Sequence, residues 1–472
     1  MKSLALAALL ALAPPVAAQG SASLQQQVEA RLAEAGPGVR FGLVVATLDG
    51  KEILAINPDG RFVPASNTKL FTTIAAFDQL PGRDQPDTAG GARVWLRPGT
   101  RKVPDVVLEG RGDARLSSAP DCRSDCLSTL ADAIAAKTRR VGSVIGDARA
   151  FLDERWSFGM SWNNIPTRSG TGLAALMIDD NEVTVRVAPG SPGWIPGADL
   201  GGYFMIDNRA TTVTEGKTAL EVQRLPGSRR LRLSGTIKVE DGPQVLRLGV
   251  DDPAHYSAWT LTRMLEARGV RVEGGPQAQY RSALEDTVAA GGAELGSVAP
   301  DPLAADIVTI NKVSQNVHAE LLLRRLGAAR GKSSVAGGLE AVRAMLDRAG
   351  VPERAATLAD GSGMSPYNRV SPRGVVTMLR WAAGRSWGAQ FRATLPIGGV
   401  DGTLRNRFKE GGLNGRIFAK TGSLTAASAL SGYLLTARGE TLVFSALASD
   451  VPEDVRATAI MDQALELVAA SR

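Results

Sequence analysis

Histidine is scarce in this chain: 472 residues hold only His255 and His318. Ser-His-Asp catalysis therefore has few possible builds, and no Gly-x-Ser-x-Gly elbow lies near either imidazole. Cysteine is as rare. Cys122 and Cys126, in the run Cys-Arg-Ser-Asp-Cys with no histidine beside them, make a poor zinc site. They leave open a short local disulfide or a pair of free buried thiols. No Gly-rich phosphate loop and no cluster of His, Cys and carboxylates occurs, so neither a cofactor nor a metal is expected. After the first stretch no segment approaches about 18 uninterrupted apolar residues, so no stable membrane anchor is expected. The formal charge of +6 is spread without a basic run or stripe, which argues against nucleic acid as a partner.

What is present begins with Met1 to Gln19. Lys2, an apolar run from Leu4 to Ala13 and the small residues Val16-Ala17-Ala18 have the layout of a signal peptide, with cleavage expected after Ala18. Export to the periplasm follows as an expectation. The remaining length is too great for one hydrophobic core. Ser23 is placed to cap a helix through about Ala35, and strand-like runs at Val39–Thr47 and Ile53–Ile56 meet at Asp49-Gly50. A helix continues from Ser66 to about Leu80, where Pro81 and Gly82 stop it. From about 85 to 295 short β-like runs alternate with Gly and Pro breaks, and a helical stretch starts at Leu127. Helical periodicity returns over 302–330, 335–349 and Ser371–Ala383. Strands at Ile417–Lys420, Ala429–Thr436 and Thr441–Leu447 and a closing helix from Pro452 to about Ala469 end the chain.

These elements predict an α/β fold: an antiparallel sheet flanked by helices, split in sequence by a large, mostly-β insertion. The expected domains are 19–85 with 296–472, and an inserted region 86–295 containing a small α/β lobe near 112–170.

Chemistry in the absence of histidine points to Ser66 and Lys69. At i, i+3 on one helix the amine reaches the hydroxyl. A free lysine near pKa ~10.4 is protonated at neutral pH, but burial and a second ammonium push that value down and yield a base. A serine at a helix start also has its own N–H free for an oxyanion. Alone the spacing is weak, since solvated helix faces often carry it. A second element is Ser314-Gln315-Asn316, with a decoy at Ser161-Trp162-Asn163 inside the inserted region. The third is Lys420-Thr421-Gly422, the only such tripeptide, at the end of a strand-like run where glycine lets a substrate backbone come close.

In the order Ser-x-x-Lys, Ser-x-Asn, Lys-Thr-Gly, these form the set that serine β-lactamases and penicillin-binding proteins share. Phe62-Val63-Pro64-Ala65-Ser66-Asn67-Thr68-Lys69-Leu70-Phe71-Thr72 resembles the nucleophile segment of the class C low-molecular-mass penicillin-binding proteins. So do Gly112-Asp113-Ala114-Arg115-Leu116, Asp360-Gly361-Ser362-Gly363-Met364-Ser365, Gly398-Gly399-Val400-Asp401-Gly402-Thr403-Leu404 and Lys420-Thr421-Gly422-Ser423-Leu424 with Leu430-Ser431-Gly432-Tyr433. The resemblance implies a β-lactamase/transpeptidase-like domain and a D-alanyl-D-alanine carboxypeptidase or endopeptidase acting on peptidoglycan stem peptides and acylated by β-lactams. It implies that Ser66 attacks the carbonyl, Lys69 takes its proton and Ser314 relays a proton to the leaving amine. Asn316 would orient the substrate amide and Lys69, while Lys420 and Thr421 would hold the terminal carboxylate. The N–H groups of Ser66 and Ser423 would form the oxyanion hole, and Lys420 would depress the pKa of Lys69.

Two positions depart from that family. Pro366 stands where an arginine commonly follows the Asp-Gly-Ser-Gly segment, and Asn164 stands where an aspartate is expected. Both charges would clamp a zwitterionic diaminopimelate end, so specificity for the stem-peptide side chain is in doubt while acyl transfer is not. His318 could reach Ser314 on a continuous helix, though a neighbour's role is the simpler reading. Trp156, Phe158 and Trp162 either line a peptide groove or pack between lobes. A β-lactamase would need an efficient deacylating base, and no Glu-centred segment of that kind lies near Ser314. A non-catalytic peptidoglycan-binding protein has no reason to keep Ser66, Lys69, Ser314 and Lys420 together.

Overall fold

The computed structural model describes residues 22–100, 102–283 and 291–472. The leader expected over residues 1–18 lies outside the described residues. Among those described, no helix is long and apolar enough to cross a membrane.

The chain's two ends build one five-stranded antiparallel sheet, ordered Ile417–Leu424, Ala427–Leu435, Thr441–Ser449, Arg40–Thr47, Glu52–Ile56. Its central strands are buried on both faces, which is why they read as continuous apolar runs. Leu43 and Val45 face one core with Val28, Leu32 and Leu465, from the first and last helices (Leu24–Ala33 and Ala457–Ala470). Val44 and Ala46, one residue out of phase, face a second core with Phe71, Ile74 and Leu379. Ser23 caps the first helix in a reciprocal capping box with Gln26.

That second core contains the helix Thr68–Gln79, which follows Ser66, the helix Pro372–Ala383 and three more at Leu303–Lys312, Asn316–Ala328 and Val335–Arg348. The periodicity over 302–330 predicts one helix, and the structure divides it. Ser314 adopts a left-handed backbone, φ 63°, which no α-helix accommodates, so the chain turns there. The break separates Ser314 from His318, whose four-residue spacing would have brought them together on an unbroken helix. The helix Asn316–Ala328 faces two cores. Ala319, Leu322 and Leu326 enter the one shared with the helix Thr68–Gln79, while Val317 and Leu321 enter a cluster shared with residues between Ala92 and Val270.

Between Arg93 and Ser297 a second five-stranded sheet runs Arg271–Arg281, Arg140–Leu152, Asp105–Glu109, Arg93–Arg97, Ala293–Ser297. Its first three strands are parallel, and the helices Leu127–Lys137 and Pro253–Ala267 cover it. Strands between Glu182 and Gly249 form a smaller β part with its own core of Val185, Val187, Leu231, Leu233 and Ile237. Cys122 and Cys126 are joined as a disulfide.

Candidate active site

Ser66 sits on a short 3-10 turn, Ala65–Asn67, that leads into the helix Thr68–Gln79. Three remote segments brace this turn. Phe62 exchanges two backbone hydrogen bonds with Val370, of 2.9 and 3.0 Å. Asn67 Nδ2 donates to the Lys420 carbonyl at 2.8 Å. Two glycines make the remaining contacts possible. A Cβ at Gly422 would stand 2.5 Å from the Pro64 carbonyl oxygen and 3.0 Å from the Ser66 nitrogen. At Gly363, itself at φ +89°, a Cβ would stand 1.8 Å from the Ala65 carbonyl oxygen. Ala65 is at φ 47°, an unfavourable conformation for a residue with a Cβ, held by these surroundings.

Lys69 is fully buried beneath Ser66, which stays half-buried and reachable. Its Nζ donates to Ser66 Oγ at 2.9 Å, to Asn316 Oδ1 at 2.7 Å and to the Ser362 carbonyl at 2.6 Å. Burial lowers its pKa to about 7, against the opposing pull of Asp360 and Glu320. Lys420, also fully buried on the edge strand, donates from Nζ to Ser314 Oγ at 2.8 Å and to the Thr421 carbonyl at 2.9 Å. Burial first, and the like charge of Lys69 second, hold its pKa well below the usual lysine range. Of the two causes expected for the Lys69 shift, burial and a neighbouring ammonium, burial is the one that carries it. Thr421 Oγ1 donates to Thr403 Oγ1 at 2.8 Å. Ser423 follows on the same strand with its side chain exposed.

The folded chain therefore brings together Ser66, Lys69 and Asn316, and beside them Ser314, Lys420 and Thr421. Around them lie Glu320, Arg324 and Ser157, which no motif announced, and the Asp360–Ser365 segment. Glu320 accepts hydrogen bonds from the Gly361 and Ser362 amides at 3.0 and 2.9 Å, from Ser157 Oγ at 2.9 Å and from the buried Arg324 at 3.0 Å. Asp360 accepts from the Gly363 and Ser365 amides and from Asn368 Nδ2, at 2.8, 2.6 and 2.7 Å. Burial and the nearby Glu320 raise the Asp360 pKa to about 7. These two carboxylates fix the loop whose Ser362 carbonyl receives Lys69. Glu320 looks like any charge on a helix in sequence, and only its burial marks it.

The decoy Ser161 is exposed, with its hydroxyl bonded to Asn163 at 2.5 Å. Asn164 and Pro366 lie on two loops that meet: the Phe158 and Tyr367 rings stack 5.1 Å apart, and Gly159 packs on Ser365 and Tyr367. Trp156 is tied to the Gly170 carbonyl at 2.9 Å, whereas Trp162 is 68% exposed.

The chain is similar to known proteins over most of its length. A D-alanyl-D-alanine carboxypeptidase of Actinomadura sp. (strain R39) is 32% identical over 451 residues, 89% of this chain and 80% of that protein. A D-alanyl-D-alanine carboxypeptidase of Haemophilus influenzae is 26% identical over 430 residues, 86% and 85% of the two chains. The crystal structure of penicillin-binding protein 4 from H. influenzae superposes with a TM-score of 0.79 at 22% identity, covering 93% of this chain and 98% of that one. The match extends from residue 24 to residue 471, across the split sheet, the motifs and the inserted region alike: this chain belongs to the D-Ala-D-Ala carboxypeptidase 3 (S13) family.

Proposed function

We propose that this chain hydrolyses the bond between the two D-alanines of peptidoglycan stem peptides, as a carboxypeptidase, an endopeptidase or both, through an acyl-enzyme on Ser66. One observation carries the reading: a buried amine with a pKa of about 7 stands 2.9 Å from a reachable serine hydroxyl. Neutral Lys69 takes the Ser66 proton as Oγ attacks the carbonyl carbon, and the Ser66 amide, free at the start of its turn, serves the oxyanion with that of Ser423. Ser314, bonded to Lys420, passes a proton to the leaving D-alanine amine. Lys420 and Thr421 receive the terminal carboxylate, and Asn316 holds both Lys69 and the substrate amide. Water then hydrolyses the ester. A β-lactam acylates Ser66 in the same way and leaves slowly.

The same reading assigns residues 19–85 and 296–472 to the catalytic domain and 86–295 to an insertion. The leader would be removed after Ala18, and the mature enzyme would work in the periplasm.

The test is to incubate the mature protein with a stem pentapeptide ending in D-Ala-D-Ala and measure free D-alanine, then to follow fluorescent penicillin over hours. Release of D-alanine with a long-lived label supports the proposal. Rapid loss of label with many turnovers marks a β-lactamase, and no label at all defeats both.

The lysine base has a pH signature. Below its pKa Lys69 is an ammonium with no lone pair, so acylation should rise through an apparent pKa of about 7 and then level off. Stopped-flow acylation by fluorescent penicillin between pH 5 and 9 reads this directly. A rate independent of pH across that range would remove Lys69 from the role of base.

A further inference from the structure

One of the contacts between the region 86–295 and the active site centres on Asp180. Asp179, Asp180 and Asn181 are three consecutive left-handed residues, at φ 50°, 56° and 52°. Such a run is unfavourable and persists only when its surroundings hold it. Asp179 Oδ1 accepts from Ser117 Oγ at 3.0 Å and from the Ser118 amide at 2.8 Å. Asn181, fully buried, donates from Nδ2 to the Gly172 and Val250 carbonyls, each at 2.8 Å. Between these anchors Asp180 projects toward the middle residue of the Ser-x-Asn element. Its Oδ2 accepts from Gln315 Nε2 at 2.7 Å, and its Oδ1 pairs with His318 Nε2 at 2.8 Å. On the far side of the ring, His318 Nδ1 pairs with Asp306 Oδ1 at 2.5 Å.

Gln315 is thereby fixed at both ends, since its Oε1 accepts from the Val317 amide at 3.3 Å. Its neighbours are the two residues that the chemistry needs. Ser314, in its left-handed turn, meets Lys420, and Asn316 meets Lys69.

We propose that Asp180 and His318 are positioning residues: the insertion's carboxylate, backed by the buried imidazole, holds Gln315 and so sets the Ser314 turn against Lys420 and Lys69. The inference rests on the reading of Ser66 as the nucleophile of a D-alanyl-D-alanine peptidase. It makes the inserted region a working part of the catalytic site.

With a carboxylate on each nitrogen, His318 is an imidazolium. Burial pulls its pKa down, but Asp306 and Asp180 outweigh that and raise it to about 10. The groups facing it are Asp306 from its neighbouring helix and Asp180 from the insertion, with Arg115, Asp179, Glu182 and Arg247 lining the same cavity of about 460 Å³. Arg168 stands beside Asp180.

The test uses Asp180→Asn, Gln315→Leu and the double variant, each with acylation rate by fluorescent penicillin, kcat and KM for D-alanine release, and melting temperature. Each single variant should slow acylation about tenfold with KM changed less than about twofold. The double variant should be no slower than the worse single one, because both break one contact. In Asp180→Asn the His318 pKa should fall, so a loss of activity with rising pH should appear at lower pH than in the wild-type enzyme. The Cε1–H resonance of His318 in the wild-type protein needs no variant, and it should report an imidazolium through pH 8. Wild-type acylation in either single variant, multiplied effects in the double one, or a wild-type His318 that titrates near its ordinary value would each overturn the proposal. A wild-type protein that takes no penicillin at all would instead overturn the reading of Ser66.

Discussion

Replacing Ser66 by alanine should abolish covalent labelling by fluorescent penicillin and lower D-alanine release by on the order of 10⁴- to 10⁶-fold, as when a covalent nucleophile is removed. The size follows from the missing ester: no other hydroxyl is within bonding distance of the Lys69 amine among the contacts described. The fold should survive the change. Lys69 keeps its bonds to Asn316 and the Ser362 carbonyl, and the turn stays braced by Phe62, Asn67, Gly363 and Gly422. The melting temperature of Ser66→Ala should therefore remain within a few degrees of wild type. Ser161→Ala is the matching control, because its hydroxyl is exposed and bonded only to Asn163, and it should label normally. Label on Ser66→Ala would mean another nucleophile; loss of label in Ser161→Ala would mean that the decoy is the working serine.

Much of this site was legible in the sequence, for a physical reason. Ser66 and Lys69 sit one helical turn apart, and Lys420 ends a strand, so local geometry fixes what each motif can present. The motif order then supplied the pairs that the fold brings within 2.7 to 2.9 Å of one another. The sheet was legible too, because strands buried on both faces show as unbroken apolar runs between turn residues. What escaped depends on long-range packing. The break at Ser314 has no Pro or Gly to announce it, since the left-handed turn is enforced by partners as distant in sequence as Lys420 and Asp180. Glu320 and Arg324, buried against the Asp360–Ser365 segment, form a network that no periodicity reveals. Of the two causes expected for the Lys69 shift, burial and a second ammonium, burial is the one that carries it, and its completeness is visible only once the cores have closed around the amine.

The largest stability effect is expected at Arg324. Its side chain is 1% exposed, and it donates to Glu320 Oε2 at 3.0 Å and to the Glu154 carbonyl at 2.7 Å. Arg324→Met would keep the volume and remove the charge, leaving Glu320 in the interior without its cation and close to a second carboxyl group, Asp360. Breaking a buried ion pair by removing one partner destabilises by about 3–5 kcal/mol, mainly through the orphaned charge. The urea midpoint should fall accordingly. Acylation should fall as well, because Glu320 holds the Gly361 and Ser362 amides, and the Ser362 carbonyl receives Lys69. A second variant separates charge from packing. Glu320→Gln combined with Arg324→Met leaves no unpaired charge, so it should recover a large part of the lost stability. Acylation should stay low in that variant, since a neutral amide binds the two loop amides more weakly than a carboxylate does. An Arg324→Met protein within about 1 kcal/mol of wild type would show that the pair does not hold the loop. Full acylation in the double variant would show that the Ser362 carbonyl keeps its place without the Glu320 charge.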